Sequence, residues 1–169
     1  MVVEGLKFIY SFFLLNSCGK VYNVCDDEKE DFLECTLMSV WGAGIFENDD
    51  ALDWIYDLAD SGTLSRVVSA LDVILKNKED DLEVIDCRIG LAAAEIIAAM
   101  TGDPSAELPE EAEEWIGEKI LENEKLREKA QQVAWVILNR SELKNKWEKS
   151  SNYSQWQTTL VDLQKRLEN

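Results

Sequence analysis

Histidine is absent from this chain of 169 residues. It is the commonest general base and protein metal ligand, so its absence excludes serine–histidine and cysteine–histidine nucleophilic pairs. Cysteine is also scarce: the chain has four cysteines, none spaced as a Cys-x-x-Cys pair, so the spacing of a zinc site is missing. We therefore expect neither histidine-dependent hydrolase chemistry nor a structural zinc ion, and we predict that no cofactor is bound.

Basic residues are few relative to acidic ones. The chain has 17 Lys and Arg against 34 Asp and Glu, which gives a formal net charge of −17. This charge would repel phosphate groups, which argues against nucleic acid or an anionic membrane as a partner. Long hydrophobic runs are missing too, since the apolar run at residues 8–15 is too short to span a bilayer. We expect a basic protein as the partner; the sequence does not indicate an oligomeric state.

Residues 1–37 differ in character from the rest of the chain and contain no tryptophan. Three interpretations stay open. They are an in-frame extension, with Met38 as the true start; a weak signal-like segment, with export as a lipoprotein through Cys18; or a helix or strand that packs on the domain. We expect a cytoplasmic protein whose folded domain covers residues 38–169.

Apolar residues recur at helical spacing from Met38 onward, and no hairpin signal interrupts them. The third helix, at about 84–100, is rich in alanine and apolar nearly all round, which is typical of the centre of a bundle. The fold class predicted is all-α, a single irregular or orthogonal bundle of six or seven helices around this helix. The first helix is expected to begin at Asp49, after an Asn48 cap, and to stop at Ser61-Gly62. Two further helices are expected at 64–75 and 124–139. Three shorter predictions give only a start: one helix after Pro109, one after a Ser141 cap and one after a Ser154 cap.

The segment Trp41-Gly-Ala-Gly-Ile-Phe-Glu-Asn-Asp-Asp-Ala-Leu-Asp-Trp54 is the most distinctive motif in the chain. It resembles the opening signature of a bacterial family, domain of unknown function 4259. The resemblance continues through Ala92-Ala-Ala-Glu95, Gly102-Asp-Pro-Ser and Leu108-Pro109 to Trp147 and Tyr153-x-x-Trp156. It covers about residues 38–169 and implies a helical domain with those limits, but it implies no activity, substrate or partner.

Aspartates crowd the start of the first predicted helix. Asp49, Asp50 and Asp53, with Glu47, offer hard oxygen ligands that a divalent cation could gather. The simpler interpretation is the solvated face of an amphipathic helix, with Asp49 and Asp50 favoured by the helix dipole. We prefer the second and keep the three aspartates as weak metal candidates.

Gly42 and Gly44 form a Gly-x-Gly pair that lacks the other features of a phosphate-binding loop. We interpret the pair as a tight turn that lets Trp41 and Phe46 both insert into the core.

Glu95 lies on the alanine-rich helix with apolar residues on both flanks, so we expect it to be at least partly buried. A buried carboxylate needs a donor or a proton. Arg88 is the nearest donor in sequence, and Arg66 or the indole of Trp41 or Trp54 could also serve. We favour a polar clamp that holds the opening motif onto the central helix over a tuned acid or base.

The tryptophans are candidates for the core or for a binding surface. Trp135 and Trp156 fall on or beside apolar stripes, so we expect them in the core. Trp147 and Tyr153 lie on short connecting segments and are the best candidates for an exposed interaction surface.

We interpret the chain as a small acidic, non-catalytic protein-interaction domain, in one version an immunity- or antitoxin-like protein. The alternative is a small-ligand or divalent-metal binder, or an enzyme, that uses Asp50, Asp53 and Glu95. No catalytic residue is assigned. The candidate cluster comprises Trp41, Gly42, Gly44, Phe46, Asn48, Asp49, Asp50, Asp53, Trp54, Arg88 and Glu95.

Overall fold

The computed structural model describes residues 40–77 and 82–168. The predictions made for residues 1–37 lie outside this range. Seven α-helices account for most of the described chain. The only β-pairing among the described residues is an isolated antiparallel bridge between Val40 and Asn48, ahead of the first helix. The helices are α1 (Asp49–Ser61), α2 (Leu64–Lys76), α3 (Val84–Met100), α4 (Glu110–Ile116), α5 (Glu124–Asn139), α6 (Glu142–Trp147) and α7 (Tyr153–Glu168).

The all-α prediction is confirmed, and α3 is the central helix of the bundle. It packs against each of the other six helices. Ala92, Ala93 and Ala94 are fully buried, and small side chains of this kind let neighbouring helices approach closely. Gly90 extends the same feature, since a Cβ atom there would lie 2.7 Å from Cγ1 of Ile74 on α2.

Several helix boundaries and caps agree with those predicted from the sequence. The bounds predicted for α3 and α5 are the observed ones, and the side chains of Asn48 and Ser141 cap α1 and α6 as expected. The predicted Ser154 cap is wrong. Because the Trp156 N–H donates to the Asn152 carbonyl at 3.0 Å, α7 already begins at Tyr153 and Ser154 lies inside it.

The core also holds Cys87, which is a free thiol. Burial raises the pKa of this thiol to about 11, so it stays protonated at neutral pH. Within the described part of the chain, no helix combines the length and apolar character that a membrane span needs.

Candidate functional site

Glu95 is the most deeply buried charged residue described, with 1% of its surface exposed. Arg166 of α7 meets its carboxylate with two nitrogens: Nη1 donates to Oε1, and Nη2 donates to Oε2 at 2.8 Å. The backbone N–H of Ser105 donates to Oε1 at 3.2 Å. Both carboxylate oxygens therefore have donors, which is the geometry that makes a buried charge tolerable.

The partner of Glu95 differs from the prediction. We expected Arg88, Arg66 or the indole of Trp41 or Trp54, and all of these were wrong, because Arg166 approaches from 71 positions along the chain.

The Glu95–Arg166 pair also holds different elements together than expected. Arg166 Nη1 donates to the Asp103 carbonyl at 3.2 Å, and Nε donates to the exposed Asp162 carboxylate at 2.8 Å. The pair therefore ties α7 and the segment after α3 to the central helix, whereas we expected the opening motif. The neighbouring Glu95 carboxylate raises the pKa of Arg166 above its ordinary value, so the guanidinium stays charged.

A second ion pair holds the opening motif. Nη1 of Arg88, which is 6% exposed on α3, donates to Oδ2 of Asp50 at 2.5 Å. This contact ties the first turn of α1 to the central helix, so the clamp we assigned to Glu95 is made by Arg88 and Asp50.

The Gly-x-Gly loop encloses the side chain of Glu47. The Gly44 N–H donates to Glu47 Oε2 at 2.7 Å, and a Cβ atom on Gly42 would lie 1.9 Å from the same oxygen. Phe46 is buried as expected, but Trp41 is 48% exposed, so its predicted insertion into the core is wrong. The space beside the two glycines holds a carboxylate where we expected an indole to pack.

Asn48 is 5% exposed and joins the loop to α1. Its Oδ1 accepts from the Ala51 N–H at 2.9 Å, and its Nδ2 donates to the Ile45 carbonyl at 2.9 Å. Asn48→Ala removes the cap and leaves a buried carbonyl without its donor, so we expect the free energy of unfolding to fall by about 2–3 kcal/mol in urea titrations. Asn48→Asp keeps the cap acceptor and is expected to lose less. An alanine variant as stable as the parent would show that this residue does not anchor the loop.

The proposed metal ligands are separated. Asp49 and Asp53 are exposed, and Asp50 is paired with Arg88. Among residues 40–77 and 82–168, no three His, Cys, Asp or Glu side chains lie close enough together to hold a metal ion.

The three carboxylates of the alternative function do not meet either. Asp50 lines a cavity of about 510 Å³ with Arg88 and Lys146, Glu95 lines another cavity, and Asp53 lines neither.

Two tryptophans are placed opposite to expectation. Trp147 is buried, 8% exposed, and stacks on Trp156 with ring centroids 5.9 Å apart. Trp135 is 45% exposed, with the Arg140 guanidinium carbon 4.9 Å from its ring centroid. Tyr153 also stacks on Trp156, with ring centroids 6.0 Å apart, and is half-buried. Trp147 is buried because α6 packs on α3 and α5, against the start of α7.

The cavity beside Glu95 measures about 460 Å³, and we call it the α7 cleft. It lies between the segment after α3, one face of α7 and the end of the Gly-x-Gly loop. Sequence reasoning missed most of its residues, because an Asp162–Arg166 pair four apart on a helix looks like an ordinary surface contact. The residues that line it are Ile45, Phe46, Glu95, Pro104, Ser105, Ala106, Glu107, Gln155, Thr158, Thr159, Asp162 and Arg166.

A second charged feature lies on the exposed sides of α1 and α4. These two helices pack together, and Trp115 Nε1 of α4 donates a hydrogen bond to the Gly62 carbonyl, just after α1, at 3.1 Å. Tyr56, which is 49% exposed, lies among the carboxylates of α1. Of these carboxylates only Asp57 forms an ion pair within the described residues, with Arg66 at 2.7 Å. We call this surface the acidic face; its carboxylates are Asp53, Asp57, Asp60, Glu110, Glu113 and Glu114.

Comparison with known proteins places the chain in a family without a described activity. No curated protein and no solved structure matches it. The family model described as "Domain of unknown function (DUF4259)" matches residues 39–159, as the resemblance of the opening motif implied. The chain therefore belongs to the DUF4259 family.

Proposed function

We propose that this domain is a cytoplasmic, non-catalytic module that binds a basic protein, in the manner of an immunity- or antitoxin-like protein. The observation that carries the proposal is the acidic face of α1 and α4. Its carboxylates are exposed, and within the described residues all but Asp57 lack an ion-pair partner. Carboxylates three or four positions apart on each of these helices repel one another, and a basic surface docked against them would relieve that repulsion.

The buried charges support the same proposal. Glu95 is engaged by Arg166 and Asp50 by Arg88, so the carboxylates best placed for chemistry are held in ion pairs between helices. Among the described residues the remaining acidic side chains are largely on the surface. The formal charge of −17 accelerates encounter with a basic protein.

Tyr56 supplies a contact of another kind on the acidic face. It is 49% exposed, and it lies three and four positions from Asp53 and Asp60 on the same side of α1. Exposed tyrosine adds a large apolar contact with a polar end, which is why it is enriched at binding hot spots. The face therefore combines charges that attract a partner with a ring that can anchor it.

The test is capture of a partner by the immobilised full chain from an extract of the source cell, at salt of about 0.01 M and about 0.15 M. We expect a basic protein to be retained at the lower salt and more weakly at the higher, since salt screens exposed charges. A variant with Asp53→Asn, Asp60→Asn and Glu113→Gln should retain much less of it.

The matched control removes three exposed carboxylates elsewhere, with Glu122→Gln, Glu128→Gln and Glu168→Gln. Both triple variants should melt close to the parent, because surface substitutions change stability little. If nothing is retained at either salt, or if the control loses the partner as fully as the acidic-face variant does, the proposed function is wrong. The immunity-like version further predicts a toxin gene beside this gene.

A further inference from the structure

We propose that the α7 cleft holds a lysine or arginine side chain of the basic partner. The cleft supplies the site and the class of ligand, a cation on an apolar stem; assigning that cation to a protein rests on the proposed function.

The cleft is open to solvent along the side where Glu107, Gln155 and Asp162 are exposed, and its inner wall is fixed by buried contacts. Its volume of about 460 Å³ falls within the range of ligand pockets, about 300–1,000 Å³. Glu95, one of its lining residues, is 1% exposed, and the ion pair with Arg166 fixes the wall between α3 and α7. The Ser105 N–H bonds to the same carboxylate and fixes the segment opposite. The walls are therefore set before any ligand enters.

The charge of the lining selects a cation. Three carboxylates, those of Glu95, Glu107 and Asp162, face the cleft with one guanidinium, that of Arg166. Because Arg166 donates to Glu95, to Asp162 and to the Asp103 carbonyl, its nitrogens are already engaged. An anion entering the cleft would meet excess negative charge, whereas a cation would neutralise it.

The carboxylate of Glu107 lines the cleft and lies near that of Glu47, which is not part of the lining. The Oε2 atoms of Glu107 and Glu47 lie 2.8 Å and 3.0 Å from the point that a Cβ atom of Gly44 would occupy. Glu107 forms no ion pair within the part of the chain that the structure describes. Two carboxylates this close repel each other, and an ammonium or guanidinium group bound to Glu107 in the cleft would offset that repulsion.

The remaining lining suits the stem of a long basic side chain. Phe46, Pro104 and Ala106 offer apolar surface for methylene groups, and the hydroxyls of Thr158 and Thr159 can accept hydrogen bonds. Lysine and arginine combine the same two properties, an apolar stem and a charged head. The cleft therefore fits a basic side chain better than it fits a bare inorganic cation.

The experiment is an NMR titration of the ¹⁵N-labelled full chain with N-acetylargininamide, which carries one guanidinium and no other charge. The control ligand is N-acetylcitrullinamide, which has nearly the same shape and is uncharged. We expect saturable shifts of the Gly44, Ser105 and Glu107 amides with the arginine compound and none with citrulline. Equal shifts with both compounds, or shifts that avoid these amides, would overturn the cation site.

A pair of variants assigns the binding to the cleft. Glu107→Gln should weaken binding of the arginine compound about 3-fold or more, while Glu118→Gln, which removes an exposed carboxylate outside the cleft, should leave it unchanged. Equal weakening by the two variants would overturn the proposal.

The captured partner separates this inference from the proposed function. If Glu107→Gln retains the partner as the parent does while the acidic-face variant loses it, the function stands and the cleft is not used. If the arginine compound binds in the cleft but no protein is ever retained, the cation site stands and its assignment to a protein partner fails.

Discussion

Glu95→Ala is expected to lower the free energy of unfolding by about 3–5 kcal/mol, because it leaves the largely buried Arg166 guanidinium without its principal counter-charge. A loss of this size should lower the melting temperature by about 10 °C or more in a thermal melt followed by circular dichroism.

The matched control is Asp162→Ala, which removes the other carboxylate bound to Arg166. Asp162 is 63% exposed, and surface pairs contribute about 0–1 kcal/mol, so its loss should be small. If Glu95→Ala melts at the parent temperature, the pair does not tie α7 to α3, and Glu95 is not a structural residue.

Trp147→Ala is the second substitution with a large expected effect. Trp147 is buried against Trp156, and truncating a core tryptophan costs about 3–5 kcal/mol. Trp135→Ala removes the same side chain from a position that is 45% exposed, so we expect it to cost about 1 kcal/mol or less, mostly its contact with Arg140.

Urea unfolding of the two tryptophan variants provides the comparison, with m-values checked to ensure that both unfold in one step. The contradicting result is the order that the sequence alone suggested, with Trp135→Ala the more destabilised of the two.

The helices were predictable where local patterns agree with the tertiary structure. The bounds of α3 and α5 follow from continuous apolar periods, and the caps at Asn48 and Ser141 follow from short-range hydrogen bonding. The start of α7 was missed because Ser154 is a good cap residue, while the chain already turns at Ser150 and Asn152. The capping preference of serine therefore predicted the wrong helix start, because the preceding turn extends α7 to Tyr153.

The site was predictable only in part. The burial of Glu95 follows from its apolar flanks on a central helix, but its partner does not, because nothing local links positions 95 and 166. Spacing favoured Arg88, which instead meets Asp50, 38 positions away. One position along a helix turns a side chain by about 100°, so Trp135 could lie beside an apolar stripe and still face solvent. Such contacts depend on how helices pack.

The composition of the chain restricts the classes of function that it can have, but it does not indicate which residues form the site. The net charge of −17 favours a basic protein partner, and the lack of histidine argues against histidine-dependent catalysis. Neither observation indicates which surface the partner meets. The packing of α1 on α4 and the cavity beside Glu95 supply the two surfaces to test, the acidic face and the α7 cleft.

A double-mutant cycle on Glu95 and Arg166 tests most directly that this ion pair joins the last helix to the centre of the domain. The variants are Glu95→Leu, Arg166→Met and the two together, each measured by urea unfolding at neutral pH. The account predicts that the double variant is more stable than Glu95→Leu alone, because no charge is left buried without a counter-charge, with a coupling of about 2–3 kcal/mol. Losses that simply add in the double variant would contradict it.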